Sequence, residues 1–309
     1  MQPDDLATIY KAFTRNRLSL GRGARTIEQY TYAVRALEDF LVRSEGNTAI
    51  DALPYAVIED FLIDYMARGR GRATANKTFR SLRALFNWAA KRRLIAYNPF
   101  TELQAPRAQS SSKHGYSTDE VRQMFADVRQ QMTEPGREGF LARRDHALML
   151  VLYDTGLRAT EICNMKASSV DMTTGLFEVR GKGDRLYRRH LGIVARTAVQ
   201  TYLAAVRFPV GDDTPLWRGW TGVVLTRSGL FRMNRTRAAL AGVKNGGVHR
   251  WRYTHAEILE EMGWPEDIIM AEMGHSVLSV SRAYRERAIR RRAMKQHEED
   301  SPADKMAII

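Results

Sequence analysis

A chain of 309 residues with 44% apolar side chains is long enough for two domains with real cores, which excludes wholesale disorder. Lysine and arginine total 48 against 35 acidic residues, and the net charge of +13 points to a polyanion partner: DNA, RNA or an acidic membrane surface. The single Cys163 excludes an internal disulfide and a cysteine zinc site, the start MQPDDLATIYKAF lacks a secretory signal, and no apolar run nears the roughly 20 residues of a membrane span, so a cytoplasmic protein with Cys163 in its core is expected.

Residues 1–105 read as a small helical domain. Leu6 to Phe13 is a short amphipathic helix. Thr26 and Gln29 form a capping-box pattern, and Ile27, Tyr30, Val34, Leu37 and Leu41 then fall on one stripe of a long helix. A third helix, from about Pro54 to Ala67, turns Val57, Phe61, Leu62 and Tyr65 inward. After the loop GRGR, a fourth spans roughly Arg72 to Arg92 with Phe79, Leu82, Phe86 and Ala89 as its apolar stripe. Its other face carries Lys77, Arg80 and Arg83, which with Arg72 are the candidate phosphate contacts.

Asn98-Pro99 breaks the helical pattern, the aperiodic stretch to Tyr116 reads as a linker, and 106–116 is taken as the linker between the two domains. Residues 117–309 form the second domain. Ser117 and Glu120 make a capping box for a helix to Gln131. Leu141 to Tyr153 is a buried central helix, followed by Arg158 and, three residues on, Glu161, whose carboxylate would hold the guanidinium. Strand-like runs Leu176–Arg180 and Tyr187–Ile193 flank Gly181-Lys182-Gly183-Asp184, a hairpin with Lys182 at its tip. Helices over Arg196–Val206 and Leu230–Leu240 complete the region, and PLWRGWTGVV between them has no assignable element.

The stretch from Val248 to Arg285 holds the densest chemistry. His249 and Arg252, three apart, share a helical face. His275 and Tyr284 are nine apart and would lie on opposite sides of one unbroken helix. To act together they need a turn between them, with Gly274 as a helix stop and Ser276 or Ser279 as the next cap. Cations, imidazoles and a phenol at one point suit chemistry on a phosphate.

TGLRATE (155–161), GKGDR (181–185), HRWRYTHA (249–256), GHS (274–276) and Tyr284 follow one another in this order. The series resembles the tyrosine recombinases, the family of phage integrases and Xer-type chromosome recombinases, over nearly the whole chain. The resemblance implies a mainly α fold with a small antiparallel β-sheet: an N-terminal helical, SAM-like core-binding domain and a tyrosine-recombinase catalytic domain. It implies Tyr284 as nucleophile, Arg158 and Arg252 on the scissile phosphate, His249 and His275 in the H-x-x-R and GH positions, Lys182 as the hairpin lysine, and Glu161 as the acidic support. Where the family usually has Leu-Arg-His, this chain has Trp251-Arg252-Tyr253, which makes Tyr253 a competing phenol; Tyr284 alone keeps the family spacing. His255 reads as packing, and His114 and His190 have no assigned role.

In this reading Tyr284 attacks phosphorus, leaving a 3′-phosphotyrosyl link and a free 5′-hydroxyl. Arginine forks hold the non-bridging oxygens, Lys182 protonates the leaving 5′-oxygen, His249 takes the tyrosine proton and His275 donates to a phosphate oxygen. No metal or cofactor is required. The expected partners are double-stranded core-type DNA, clamped by both domains, and three further copies in a homotetramer on two DNA sites. The tail RERAIRRRAMKQHEEDSPADKMAII offers a basic run to DNA and an apolar plug, Met306–Ile309, to a neighbour; a frayed tail is equally open. The early start of the helical pattern suggests a form without an arm-binding domain. Competing readings are a catalytically inactive DNA-binding protein and a type IB topoisomerase-like relaxing enzyme.

Overall fold

The computed structural model describes residues 5–44, 49–50, 53–107, 114–180, 186–209, 211 and 213–274. The chain divides into two units, Met1–Ser111 and Ser112–Ile309. Among the described residues, no helix is long and apolar enough to cross a membrane.

The first unit is built from α1 (Leu6–Ser19), α2 (Ala24–Ser44), α3 (Tyr55–Ala67) and α4 (Arg72–Lys91). Their apolar stripes meet in one core in which Phe13, Leu37, Phe61, Phe79, Leu82 and Phe86 are almost fully buried. The inward residue of the first turn of α3 is Ile58, with Val57 only half-buried. The Thr26/Gln29 capping box does not form. α2 starts two residues earlier, the amides of Thr26 and Ile27 donate to the Gly23 carbonyl, and Gln29 Nε2 donates instead to Ser81 Oγ on α4 at 2.9 Å. A bond across the helix pair thus replaces the local cap. The segment after α4 is not wholly linker either: Phe100 lies 5.2 Å from Phe79 and 5.0 Å from Phe86, ring centre to ring centre, and Leu103 is buried beside them.

In the second unit the Ser117 capping box forms as expected. Ser117 Oγ accepts from the Glu120 amide and Glu120 Oε2 from the Ser117 amide, at the start of α5 (Thr118–Gln131). The central helix α6 (Gly136–Thr155) begins five residues before the predicted start, because its polar first turn carries no apolar periodicity. α7 (Ala159–Cys163) and a short turn precede β1 (Leu176–Arg180), which pairs antiparallel with β2 (Leu186–His190), Phe177 opposite Arg189 and Arg180 opposite Leu186. The second strand is shorter than predicted. Gly192 sits at the N-cap of α8 (Ile193–Ala204), so the apolar Ile193 opens a helix instead of ending a strand. α9 (Arg227–Leu240) starts three residues early, at Arg227, behind the N-cap Thr226, whose hydroxyl accepts from the Gly229 amide. The unassigned PLWRGWTGVV stretch is irregular but anchored: Trp217 is fully buried, and the Leu216 and Leu225 amides donate to the carbonyls of Met165 and Trp217. α10 (Val248–Glu261) and α11 (Glu266–Glu272) follow. Cys163 is half-buried against this core, and burial pushes its thiol up to about 11.

Candidate active site

The site begins where α6 ends. Gly156 caps the helix at φ +58°, a conformation that suits glycine, and a Cβ there would lie 2.8 Å from the His255 ring. The chain therefore turns tightly against α10 and delivers Arg158 to the N-cap of α7. Glu161, 7% exposed at its side chain, accepts from the Arg158 amide at 2.8 Å and from Arg158 Nη1 at 2.7 Å. One buried carboxylate thus fixes both the backbone and the fork of this arginine. Nη2 of Arg158 donates to the Gly274 carbonyl at 3.3 Å.

Arg252 comes from α10 and is 1% exposed. Its Nη1 donates to the Gly156 carbonyl at 2.7 Å and its Nη2 to the Met273 carbonyl. Both guanidiniums thus converge on the two residues that follow α11. α11 stops at Glu272, and Gly274, at φ +56°, is outside the helical conformation. His275 and Tyr284 lie beyond it, outside the described residues, as do Lys182 and the tail with its basic run and Met306–Ile309 plug.

α10 is held by a polar chain through the core. Trp251 Nε1 donates to Asn234 Oδ1 at 2.6 Å, Asn234 Nδ2 donates to Tyr116 Oη at 2.9 Å, and Tyr116 Oη donates to the Gly247 carbonyl at 3.0 Å. The tryptophan that departs from the family pattern is thereby accounted for: it packs fully buried, against Tyr116 at 4.6 Å between ring centres. His249, in the first turn of α10, is exposed and meets the half-buried Tyr253 edge-on at 5.1 Å, so it and Arg252 point to different depths of one helix. His255 is buried, with Nδ1 3.0 Å from the Tyr153 carbonyl, and desolvation lowers its pKa to about 4. It is a neutral packing residue under Gly156.

Two residues of this centre, Arg189 and its partner Glu272, carry no expectation from the motifs. Arg189 on β2 donates through Nη1 to the Thr155 carbonyl at 3.2 Å and to Glu272 Oε1 at 2.8 Å. Its signal is the strand alternation: Arg189 faces Phe177 across the ladder and so shares the inward side of the hairpin. Among the described residues, no group of three His, Cys, Asp or Glu side chains is arranged to hold a metal.

In the first unit, Arg72, Lys77, Arg80 and Arg83 are all exposed along α4. Lys77 lines a cleft of about 750 Å³ between α2 and α4 that also presents Arg25, Tyr32, Arg35 and Arg70. The α2 cations were missed because an arginine among mixed charges carries no local signal of the groove it borders.

The family model described as the phage integrase family matches residues 117–291, and that of the phage integrase SAM-like domain matches residues 6–105. The tyrosine recombinase XerC of Mycobacterium sp. (strain JLS) is 29% identical over 273 residues, covering 86% of this chain and 89% of its own. That of Mycobacterium tuberculosis (strain ATCC 25177 / H37Ra) is 28% identical over 280 residues, covering 89% and 92%. Among solved structures, the XerH site-specific recombinase bound to a palindromic difH substrate superposes with a TM-score of 0.73 at 18% identity, over 95% of this chain and 84% of that one. A lambda integrase dimer bound to a COC′ core site gives 0.72 at 17%, over 91% and 78%.

Proposed function

The chain belongs to the phage integrase family and is a site-specific tyrosine recombinase, and we propose that it cleaves and rejoins double-stranded DNA through Tyr284. The observation that supports this most is the convergence of Arg158 and Arg252 on the Met273–Gly274 turn, directly ahead of His275. The scissile phosphate takes the place of those two carbonyls. A charged phosphate oxygen is a stronger acceptor than a neutral carbonyl, so the exchange is favourable. Glu161 keeps the Arg158 fork aligned as charge grows on phosphorus.

The Tyr284 phenol attacks phosphorus, the 5′-oxygen leaves with a proton from Lys182, and a 3′-phosphotyrosyl bond conserves the energy for rejoining. His249 takes the phenolic proton and His275 donates to a non-bridging oxygen. Arg72, Lys77, Arg80 and Arg83 contact phosphates of the core site, residues 1–105 serve as the core-binding domain and 117–309 as the catalytic domain, and the working assembly is a homotetramer on two sites.

The test uses the duplex that the purified protein enriches from random-sequence DNA, prepared as suicide substrates with a nick walked along the enriched sequence. A covalent protein–DNA adduct is expected, abolished by Tyr284→Phe. Absence of an adduct at every nick position, or an undiminished adduct with Tyr284→Phe, sinks the proposal. Relaxation of plasmids lacking the enriched sequence would favour a topoisomerase-like enzyme instead.

A further inference from the structure

Arg189 touches the roots of the segments that carry the site. Its strand follows the hairpin of Lys182, seven residues away. Its guanidinium reaches the carbonyl of Thr155, three residues before Arg158, and the carboxylate of Glu272, three before His275. A Cβ built on Gly274 would lie 3.9 Å from Nη1 of Arg158 and 3.9 Å from Nη2 of Arg189, so the two guanidiniums flank the same turn. The Arg189 side chain is 7% exposed and Glu272 31% exposed, which keeps their 2.8 Å contact largely out of competition with water.

We propose that Arg189 is a positioning residue for DNA cleavage: with Glu272 and the Thr155 carbonyl it locks the hairpin strand, the end of α6 and the end of α11 into one register. The assignment rests on the recombinase reading of this site. Arginine suits the task because one planar fork serves a carboxylate and a carbonyl at once, which an ammonium on a flexible stem does less precisely. The lock acts before the two carbonyls that the phosphate displaces. α11 therefore stays in place while Met273 and Gly274 give up their donors. Without it, each of the three segments retains its own core packing, yet their mutual register loosens. A displacement of about 1 Å at reacting groups is enough to cost roughly 10²-fold in rate.

The experiment compares the unmodified protein with Arg189→Ala, Arg189→Lys and Glu272→Gln, and with Arg189→Glu alone and combined with Glu272→Arg. The probe is the enriched nicked duplex. Three quantities are read: single-turnover adduct rate, affinity for the duplex, and melting temperature. Arg189→Ala should slow adduct formation by about 10²-fold at unchanged duplex affinity. Glu272→Gln, which keeps the shape, should slow it by a smaller factor. Arg189→Lys should recover part of the rate lost in Arg189→Ala, and the charge-swapped pair part of that lost in Arg189→Glu. The proposal is overturned if Arg189→Ala and Glu272→Gln cleave at the unmodified rate, or if rate, affinity and melting temperature fall together without rescue by Lys. If Arg189→Ala fails to fold, Glu272→Gln and Arg189→Lys decide by the same criteria. No adduct from the unmodified protein would overturn the recombinase reading itself, whereas a normal adduct unaffected by the variants overturns only the role of Arg189.

Discussion

Arg158 and Arg252 donate to consecutive main-chain carbonyls, Gly274 for the first and Met273 for the second. Two residues 94 positions apart are thereby joined at one turn, but they differ in depth: the Arg158 side chain is 35% exposed, whereas Arg252 is 1% exposed. Substitution should separate them. Arg158→Lys, which keeps a cation against the buried Glu161 but loses the planar fork, is expected to lower the rate of covalent adduct formation about 10²–10³-fold with little change in melting temperature. Arg252→Ala should do the same and also destabilise the fold by about 1–3 kcal/mol, because the buried Gly156 carbonyl loses its partner. Adduct kinetics alongside thermal melts check both.

Gly156→Ala is expected to be among the most disruptive small changes in the second unit. The residue has φ +58°, and the added methyl group would meet the His255 ring at 2.8 Å. Strain of about 1–3 kcal/mol follows from the backbone alone. The shift would pass to Arg158, two residues on, so adduct formation should fall even where the protein remains folded. Denaturant melts and the nicked-duplex assay measure the two effects separately.

Trp251→Phe should cost about 1–3 kcal/mol, since it leaves Asn234 Oδ1 buried without the indole donor. Adding Asn234→Leu removes the unpaired acceptor and the donor to Tyr116 as well, so the two losses should be non-additive. A double-mutant cycle in urea reads the coupling, and strict additivity would mean that the polar chain does not act as a unit.

Burial lowers both His146 and His255 to about 4, from an ordinary value of 6.5. The unfolded chain therefore binds more protons than the native state between about pH 6.5 and 4. Stability is fully present above pH 6.5 and falls as pH drops through this window, by up to about 3 kcal/mol for His255 and by less for the less deeply desolvated His146. His146 faces Phe125 edge-on at 5.7 Å, so His146→Phe suits its surroundings and should flatten the loss of melting temperature between pH 7 and 5.

The exposed cations of α4 bear on DNA affinity. Lys77→Ala and Arg80→Ala together should weaken duplex binding and reduce the slope of log affinity against log salt by about 2. Unchanged slopes in titrations at several salt concentrations would remove α4 from the interface.

What was readable without coordinates is short in range. The stripe of Phe79, Leu82 and Phe86 marks α4, and Ser117 with Glu120 starts α5, because helical periodicity and caps join residues three or four apart. Thr26 and Gln29 carried the same signature and failed, since Gln29 is drawn to Ser81, 52 residues on. Ile193 read as strand and begins a helix, as apolar residues at an element border satisfy either period.

The sequence by itself determined the family of the chain, through the order of the motifs around Arg158, Lys182, Arg252, His275 and Tyr284 and the basic helical segment ahead of them. Tertiary structure alone decided that Arg252 is buried on the Gly156 and Met273 carbonyls, that Trp251 is tied to Asn234 and Tyr116, and that Arg189 clamps Thr155 and Glu272. The reason is the reach of the interactions. Backbone propensity and side-chain spacing are encoded within a few residues, whereas a buried guanidinium takes whichever acceptors packing brings to it across 21 to 96 positions of chain.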